Sequence, residues 1–251
     1  MNRYGCEGLK IVISGGTSGI GLAVAEKMLR DEAAAVYLLG RSEERGAAAV
    51  KSLYEATGRQ AVYLQCDVAV QEECQKALAA MTDRIDVLVA CAGVYTEERL
   101  EQVTEQSLTQ IMDINVKGTV YFLQAGLPYI RSGGSIVTVA SDAGISGNYG
   151  CPVYCASKGA VVALTRALAL DLAPGVRVNC VCPADVDTPL LHRQLQQCGE
   201  SYSMEDMSSV YPLQRIANVD EIAHVICSVA SPQNSFMTGS IIAVDGGLTA
   251  K

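Results

Sequence analysis

Short runs of Val, Ile and Leu recur along this chain with helical stretches between them, and that alternation limits the fold more than any other feature. Strand-like runs occupy residues 9–14, 35–39, 61–66, 86–90, 135–140, 177–181 and 241–244. Several lack polar alternation, the pattern of strands covered on both faces. Apolar residues at helical spacing mark 22–29, 43–57, 70–81, 104–131, 153–172 and 219–230. The 104–131 stretch is expected to contain a break or cap near Asp113. Repeated βα units build a parallel sheet with right-handed crossovers. The predicted fold class is therefore α/β, a doubly wound parallel sheet with helices on both faces. At 251 residues and 49% hydrophobic content the chain suits one domain, 1–251, with no linker or repeat. The longest irregular stretch between predicted strands is 183–218, and a loop of that length in a compact domain is usually functional.

The first strand runs into Gly15-Gly16-Thr17-Ser18-Gly19-Ile20-Gly21, and a helix follows with apolar Ile20, Val24 and Met28. Gly15 permits a tight turn, and Gly19 and Gly21 carry no side chain to block a phosphate or a facing strand. The helix start offers free N–H groups and a partial positive charge to a pyrophosphate. The spacing is G-x3-G-x-G, which departs from the G-x-G-x-x-G dinucleotide fingerprint.

A second motif suggests proton transfer. Tyr154 and Lys158 stand four residues apart, with Ser141 thirteen residues upstream of Tyr154. A phenol has an ordinary pKa near ~10. A cation one helical turn away stabilises the phenolate and lowers that value. The Ser141 hydroxyl can then steady a substrate oxygen while Tyr154 gives or takes a proton. Taken alone, the same spacing also describes a surface Tyr-Lys pair on a helix.

Together these motifs resemble the short-chain dehydrogenase/reductase family, with its T-G-x3-G-x-G loop and S…Y-x3-K site. The resemblance spans essentially the whole chain. It includes Asp67-Val68, Ala92-Gly93, Asn115, Pro183…Thr188 and Val244-Asp245-Gly246-Gly247. It implies a single Rossmann-type domain with seven strands in the order 3-2-1-4-5-6-7 and ligands at the carboxyl ends of the strands. It also implies catalysis by Asn115, Ser141, Tyr154 and Lys158. Tyr154 is then the acid for carbonyl reduction and the base for alcohol oxidation, Lys158 lowers its pKa and holds the nicotinamide ribose, and Ser141 bonds the substrate oxygen. Asn115 positions a water that links Lys158 to solvent; its other reading is a polar residue satisfying backbone at a helix kink.

The cofactor site implied by the resemblance comprises Gly15, Thr17, Ser18, Gly19, Ile20, Gly21, Arg41, Ser42, Asp67, Val68, Cys91, Gly93, Tyr154, Lys158, Pro183, Val186 and Thr188. The acidic residue that would bond an NAD ribose after the second strand is replaced by Gly40, and Arg41 follows. Arg41 can fork onto a 2′-phosphate and stack on adenine, which favours NADP(H) over NAD(H). Its other reading is a solvated first residue of the next helix. Ser18 stands where NADP-specific relatives often carry a second basic residue, and Ala90-Cys91-Ala92-Gly93 replaces Asn-Asn-Ala-Gly. Pro183-Ala184 replaces Pro-Gly, which fits only where the turn needs no positive φ. Val186 meets the carboxamide through its main chain.

The segment at about 184–217 is the expected substrate loop. It carries Leu190, Leu191, His192, Leu195, Tyr202, Met204, Met207, Val210 and Tyr211, which suit an apolar pocket or an amphipathic helix pair over the sheet end. Ser146 to Tyr149 is a second candidate wall, and His192 reads as a surface helix residue. No acidic pair, arginine cluster or metal-ligand set stands out. The leading expectation is a hydrophobic secondary alcohol or ketone, with a hydroxysteroid or bile acid as one member. The alternatives are a 3-oxoacyl-thioester reductase serving an acidic carrier protein, and a non-enzymatic nucleotide-sensing relative.

Net charge of −8 argues against nucleic acid or an anionic membrane as a partner. No uninterrupted apolar stretch suggests a transmembrane span, and the N-terminus lacks an apolar signal core. Ten scattered cysteines without C-x-x-C, beside only two histidines, read as small buried residues kept reduced in a cytoplasm rather than as zinc ligands. The resemblance further implies a homotetramer or homodimer built partly on the helix that carries Tyr154.

Overall fold

The computed structural model describes residues 4–81, 84–198 and 203–250. The strands are β1 (Lys10–Ser14), β2 (Ala35–Gly40), β3 (Val62–Gln65), β4 (Ile85–Ala90), β5 (Ile130–Val139), β6 (Val176–Pro183), β7 (Val186–Asp187), β8 (Ala217–Asn218) and β9 (Ile241–Val244). Seven of them form one parallel sheet in the order β3-β2-β1-β4-β5-β6-β9, and β7 pairs with β8 in a small separate ribbon. The helices are α1 (Gly19–Arg30), α2 (Glu43–Thr57), α3 (Gln71–Ala79), α4 (Glu105–Ile111), α5 (Gly118–Gly126), α6 (Pro152–Asp171), α7 (Pro189–Cys198), α8 (Met204–Ser209) and α9 (Val219–Ala230).

Alternate strand residues feed two cores, because successive side chains leave a strand on opposite faces. Ile11, Ile13, Val87, Val89, Val137 and Val139 pack with α1 and α9. Val12, Leu88, Ala90 and Ile136 pack on the other face with Leu78, Phe122 and Leu123. This is why the central strands show no polar alternation. Each fully buried Leu or Ile contributes about 1.5–3 kcal/mol.

Two sequence expectations change. The helical stretch over 104–131 is α4, a wide π-helical turn at Met112–Lys117, and α5, and it ends before Arg131 because β5 begins at Ile130. The expected break near Asp113 is thus an expansion within a continuous helical path. Gly126 and Pro128 end it; proline cannot supply the N–H that a helix needs. Ile130 and Arg131 belong to the strand even though Ile130 continues the helical period. The irregular 183–218 segment is largely ordered into α7, α8 and the β7–β8 ribbon. Ser203 and Asp206 form a capping box that starts α8. Tyr202 lies outside the described residues.

Helix α6 is 20 residues long with a mean hydropathy of 1.3, so by length and composition alone it reaches the range of a membrane span. It packs against β6 and against the turn that follows β5, and its Lys158 is buried in the protein. It is therefore described as a helix of the α/β core.

Arg177 at the start of β6 secures the far end of the sheet. Its guanidinium donates to the carbonyls of Val229, Ala230 and Ser231 at the end of α9, and to Met237, at 3.0–3.3 Å. A cation there satisfies helix-terminal carbonyls and opposes the negative end of the helix dipole. Arg177→Leu is expected to destabilise the protein by about 1.5–3 kcal/mol. Chemical denaturation checks this as a lower midpoint at unchanged slope.

Candidate active site

The C-terminal ends of β1 and β4 meet at the point where strand order reverses, which is where open α/β sheets bind ligands. Ser14 Oγ accepts the N–H groups of Cys91 at 3.2 Å and Ala92 at 3.3 Å. Gly15 follows with φ +69°, and a Cβ on it would lie 2.8 Å from Ala92 Cα. A Cβ on Gly21 would run into the Gly15 carbonyl oxygen. Both positions require glycine, and the loop is held close to the sheet. Ser18 caps α1 with extended backbone and makes no side-chain cap bond. The first N–H groups of α1 thus keep no partner from that side chain. Thr188, after β7, sits beside Gly19: a Cβ there would be 3.4 Å from Thr188 Cγ2. Ala184 is not among the non-glycine residues with positive φ, so the Pro183-Ala184 turn accepts alanine without strain.

At the end of β2, a Cβ on Gly40 would lie 2.9 Å from Thr17 Cγ2. An acidic side chain at position 40 would have to displace Thr17. Arg41 is exposed, with Nη1 3.9 Å from Asp67 Oδ2, and Ser42 caps α2 by accepting the N–H of Arg45. Val68 packs against Gly118 at the start of α5. Burial pushes the Cys91 thiol up to about 11, with Lys158 acting the other way. A Cβ on Gly93 would be 3.2 Å from Lys158 Nζ, so the bare glycine leaves that ammonium approachable.

Tyr154, Lys158 and Ser141 converge across the ends of β4, β5 and β6. Ser141 caps a short 3-10 turn, Asp142–Gly144, that lies directly on α6. A Cβ on Gly144 would be 2.7 Å from the Lys158 carbonyl carbon, so only glycine lets the turn sit this close. The Ser141 hydroxyl stands close enough to the Tyr154 phenol to act on its ionisation. Its ring meets the Tyr95 ring edge-on, with centroids 4.7 Å apart. Lys158 Nζ lies 5.8 Å from the Tyr154 ring centroid and donates to the Val139 carbonyl at 3.1 Å. Burial lowers the Lys158 pKa.

The electrostatics at Tyr154 run against the expectation that Lys158 lowers its pKa. Burial raises the phenol well above its ordinary value; the Ser141 hydroxyl opposes this, and Asp142, Cys151 and Asp185 raise it further. With Lys158 Nζ turned to Val139, desolvation and nearby carboxylates outweigh the ammonium.

Asn115 sits in the π-helical turn and is buried. Its Oδ1 accepts the Val94 N–H at 2.8 Å, and its Nδ2 donates to Val94 O at 3.0 Å and Ser157 Oγ at 3.1 Å. Both Nδ2 protons and one Oδ1 lone pair tie the loop after β4 to α6. Its main-chain carbonyl accepts the Thr119 Oγ1–H at 2.8 Å.

Sequence reasoning missed three carboxylates near these groups. Asp142 is 4% exposed and accepts from Ser141 Oγ at 2.7 Å and from Asn148 Nδ2 at 3.2 Å. Asp185 accepts from the Tyr211 hydroxyl at 2.6 Å. Glu97 accepts weakly from Tyr95 at 3.5 Å and from Gln194 of α7 at 3.4 Å. Burial raises the Asp185 carboxyl; Tyr211 opposes this, while Asp142 and Glu97 add to it. Among the described residues none of the three forms an ion pair. The expectation of no acidic grouping is corrected: the residues come from three separate loops and share no local spacing. His192 lies on the surface, 2.7 Å from Asp187, as expected. The nine described cysteines are free, and no cluster with metal-ligand geometry occurs among the described residues.

The cradle suits a nicotinamide dinucleotide, since a Cβ on Gly15 or Gly21 would collide with backbone and Gly19 holds a positive φ of +53° at the start of α1. Comparison with known proteins agrees. A family model described as "Enoyl-(Acyl carrier protein) reductase" matches residues 15–249. A 3beta-hydroxysteroid dehydrogenase of Mediterraneibacter gnavus is 33% identical, over 95% of this chain and 94% of its own. A 3-oxoacyl-[acyl-carrier-protein] reductase of Chlamydia muridarum is 31% identical, over 94% and 96%. Among solved structures, a glucose/ribitol dehydrogenase-type protein of Brucella melitensis superposes with a TM-score of 0.89 at 32% identity, covering 98% of each chain. ElxO with NADP bound gives a TM-score of 0.88 at 26% identity, covering 97% of this chain and 99% of its own. With its sheet order, glycine cradle and Ser141-Tyr154-Lys158 grouping, this chain belongs to the short-chain dehydrogenase/reductase family and is a nicotinamide-dependent oxidoreductase acting on CH–OH groups.

Proposed function

We propose that the protein interconverts a neutral, hydrophobic secondary alcohol and its ketone with NADP(H). The carrying observation is the meeting of Tyr154, Ser141 and Lys158 beside bare Gly93. In this reading Tyr154 gives its proton to a carbonyl oxygen or takes one from an alcohol. Ser141 orients the reacting oxygen, Lys158 holds ribose hydroxyls, and Asn115 keeps the floor of the site in place. The nicotinamide supplies the hydride acceptor or donor. Residues 15 and 17–21 hold the pyrophosphate, Arg41 and Ser42 the adenosine phosphate, Asp67 and Val68 the adenine, and Cys91 and Gly93 the ribose. Pro183, Val186 and Thr188 border the carboxamide. The whole chain acts as one catalytic domain, with 184–217 as its substrate cover.

Three observations support NADP(H). Gly40 leaves no space for an acidic side chain without moving Thr17. Arg41 is exposed, and its only ion-pair partner among the described residues is Asp67 at a weak 3.9 Å. A similar protein, ElxO, binds NADP.

The three carboxylates bear on substrate charge. Asp142, Asp185 and Glu97 place a negative field at the site, which opposes anionic substrates and acidic carriers. This supports an uncharged ketone or alcohol, such as a neutral hydroxysteroid, over a bile-acid carboxylate or a carrier-bound 3-oxoacyl thioester. The Tyr95 ring offers an apolar wall beside Tyr154. Exposed Leu108, Val120 and Leu170, on α4, α5 and α6, support a homotetramer or homodimer through that side. The free cysteines support a reducing, cytoplasmic setting.

A panel of neutral ketosteroids, bile-acid ketones, ketoses and acetoacetyl thioesters, assayed with NADPH and NADH, tests the substrate reading. Neutral ketones should turn over fastest; preference for the thioester or the carboxylate overturns it. Tyr154→Phe should cut turnover by about 10²–10⁴-fold. Because the phenol is raised and acts as a base only when ionised, alcohol oxidation should climb with pH through the alkaline range. Ketone reduction needs the protonated phenol and should stay flat there. Arg41→Asp should reverse the NADPH preference in kcat/KM; an unchanged ratio removes Arg41 from the argument.

A further inference from the structure

We propose that Cys151 and Cys155 form a paired-thiol modification site beside Tyr154, which a hydroperoxide closes into a disulfide that displaces the tyrosine. The pairing stands on its own geometry; its effect on turnover rests on the assignment of Tyr154 as the acid and base. The two sulfurs are 3.8 Å apart and bracket the peptide of Asn148. Both thiols point to the Asn148 carbonyl, Cys151 at 3.8 Å and Cys155 at 3.9 Å, and the Asn148 N–H donates to Cys155 Sγ at 3.4 Å. Cys151 caps α6 with non-helical backbone angles, φ −141° and ψ 49°, so closing the pair does not strain a helical residue at that end. Two further close pairs are Cys66 with Cys74 at 3.8 Å and Cys180 with Cys182 at 3.6 Å. All four of those residues are exposed by 1% or less, so a dissolved oxidant does not reach their sulfurs. Among the described residues, only the pair at α6 joins a buried thiol to a partly exposed one.

Cys155 is partly exposed and meets the oxidant first. As the thiolate it attacks one oxygen of the hydroperoxide. An S–O bond forms, the O–O bond breaks, and an alcohol (water, for hydrogen peroxide) leaves with a proton. Burial raises the Cys151 thiol and keeps it from reacting first. Its sulfur then attacks the Cys155 sulfenic acid. The S–S bond forms, the S–O bond breaks, and water leaves with the Cys151 proton. Two thiols lose two electrons, and the hydroperoxide takes them up. The sulfurs must close from 3.8 Å to about 2.0 Å. Tyr154 lies between them in the first turn of α6 and moves with that turn. The same contraction pulls on Asn148, whose side chain holds Asp142 at 3.2 Å beside Ser141. It also shifts the Tyr154 ring against the Tyr95 ring, now 4.7 Å away between centroids. In a reducing setting such a bond is transient and follows the oxidant.

The tryptic fragment 132–158 carries both thiols and no other cysteine, so its mass reports the pair directly. After the whole protein is exposed to hydrogen peroxide, this fragment should be lighter by two hydrogens. Turnover of the best accepted neutral ketone with NADPH should fall by about 10²-fold. A dithiol reductant should restore both. Cys155→Ser should keep its turnover through the same treatment, and Cys151→Ser should stop at a Cys155 sulfenic acid that dimedone traps. If Cys151→Ser does not fold, as judged by circular dichroism, Cys155→Ser decides: retained turnover supports the proposal, and a loss equal to that of the unsubstituted protein overturns it. An unchanged fragment mass, a fragment that only gains oxygen, or a closed bond with undiminished turnover also overturns it. Tyr154→Phe keeps both thiols and separates the two failures. Retained turnover in that variant refutes the acid–base assignment, whereas lost turnover there with an unchanged peroxide-treated fragment refutes only the thiol pair.

Discussion

The approach of β1 to β4 at their C-terminal ends is the constraint on which the rest of the molecule depends. Ser14 gathers the N–H groups of Cys91 and Ala92, and Gly15 brings its backbone against Ala92 where no side chain fits. This contact lies at the reversal of strand order, so the crevice opens there. Gly21 lets α1 begin directly behind the turn, with its N-terminal N–H groups aimed at that crevice. A methyl group at Gly15 or Gly21 would separate strand, loop and helix together. The cradle and the sheet core are therefore one packing problem.

The reacting side of the crevice is governed by desolvation. Lys158 is buried and Tyr154 partly so, and burial disfavours the charged form of each. The phenol is pushed up and the ammonium down, so both ionisations become sensitive to whatever polar groups stand close by. Asp142, Asp185 and Glu97 supply one sign of charge from the ends of β5, β6 and β4 respectively, and Gln194 brings α7 across to Glu97. The helices over the site thus complete its electrostatics as well as its walls. Buried Leu191, Met207 and Tyr211 anchor that cover, and Tyr211 extends its hydroxyl to Asp185.

Legibility followed the range of each interaction. The parallel α/β class and the glycine loop could be read because their signals are local: apolar runs, helical spacing and a glycine cluster between strand and helix; the strand order came from the family resemblance. The ends of elements were harder. Ile130 continues the apolar period of α5, yet pairing with Ile85 of β4 takes it into the sheet. The capping box at Ser203 and the start of α7 at Pro189 carried helix signals inside a stretch dense in polar residues, and there the local chemistry outweighed composition. Asn115 was singled out by the resemblance, but its ties to Val94 and Ser157 arise only when three elements meet.

By itself, the amino-acid sequence determined the class of fold and the dinucleotide-type loop, because each is encoded in residues close enough along the chain to share a turn, a strand or a helix face; the trio Ser141, Tyr154 and Lys158 was marked by its family resemblance. Only the tertiary structure decided the charge around that trio and the direction of its hydrogen bonds. Asp142, Asp185 and Glu97 lie on separate loops, and nothing in their spacing marks them as neighbours. Coulomb interactions act through space and strengthen as water is excluded. Their sum at Tyr154 is therefore a property of the folded chain, whatever the order of residues along it.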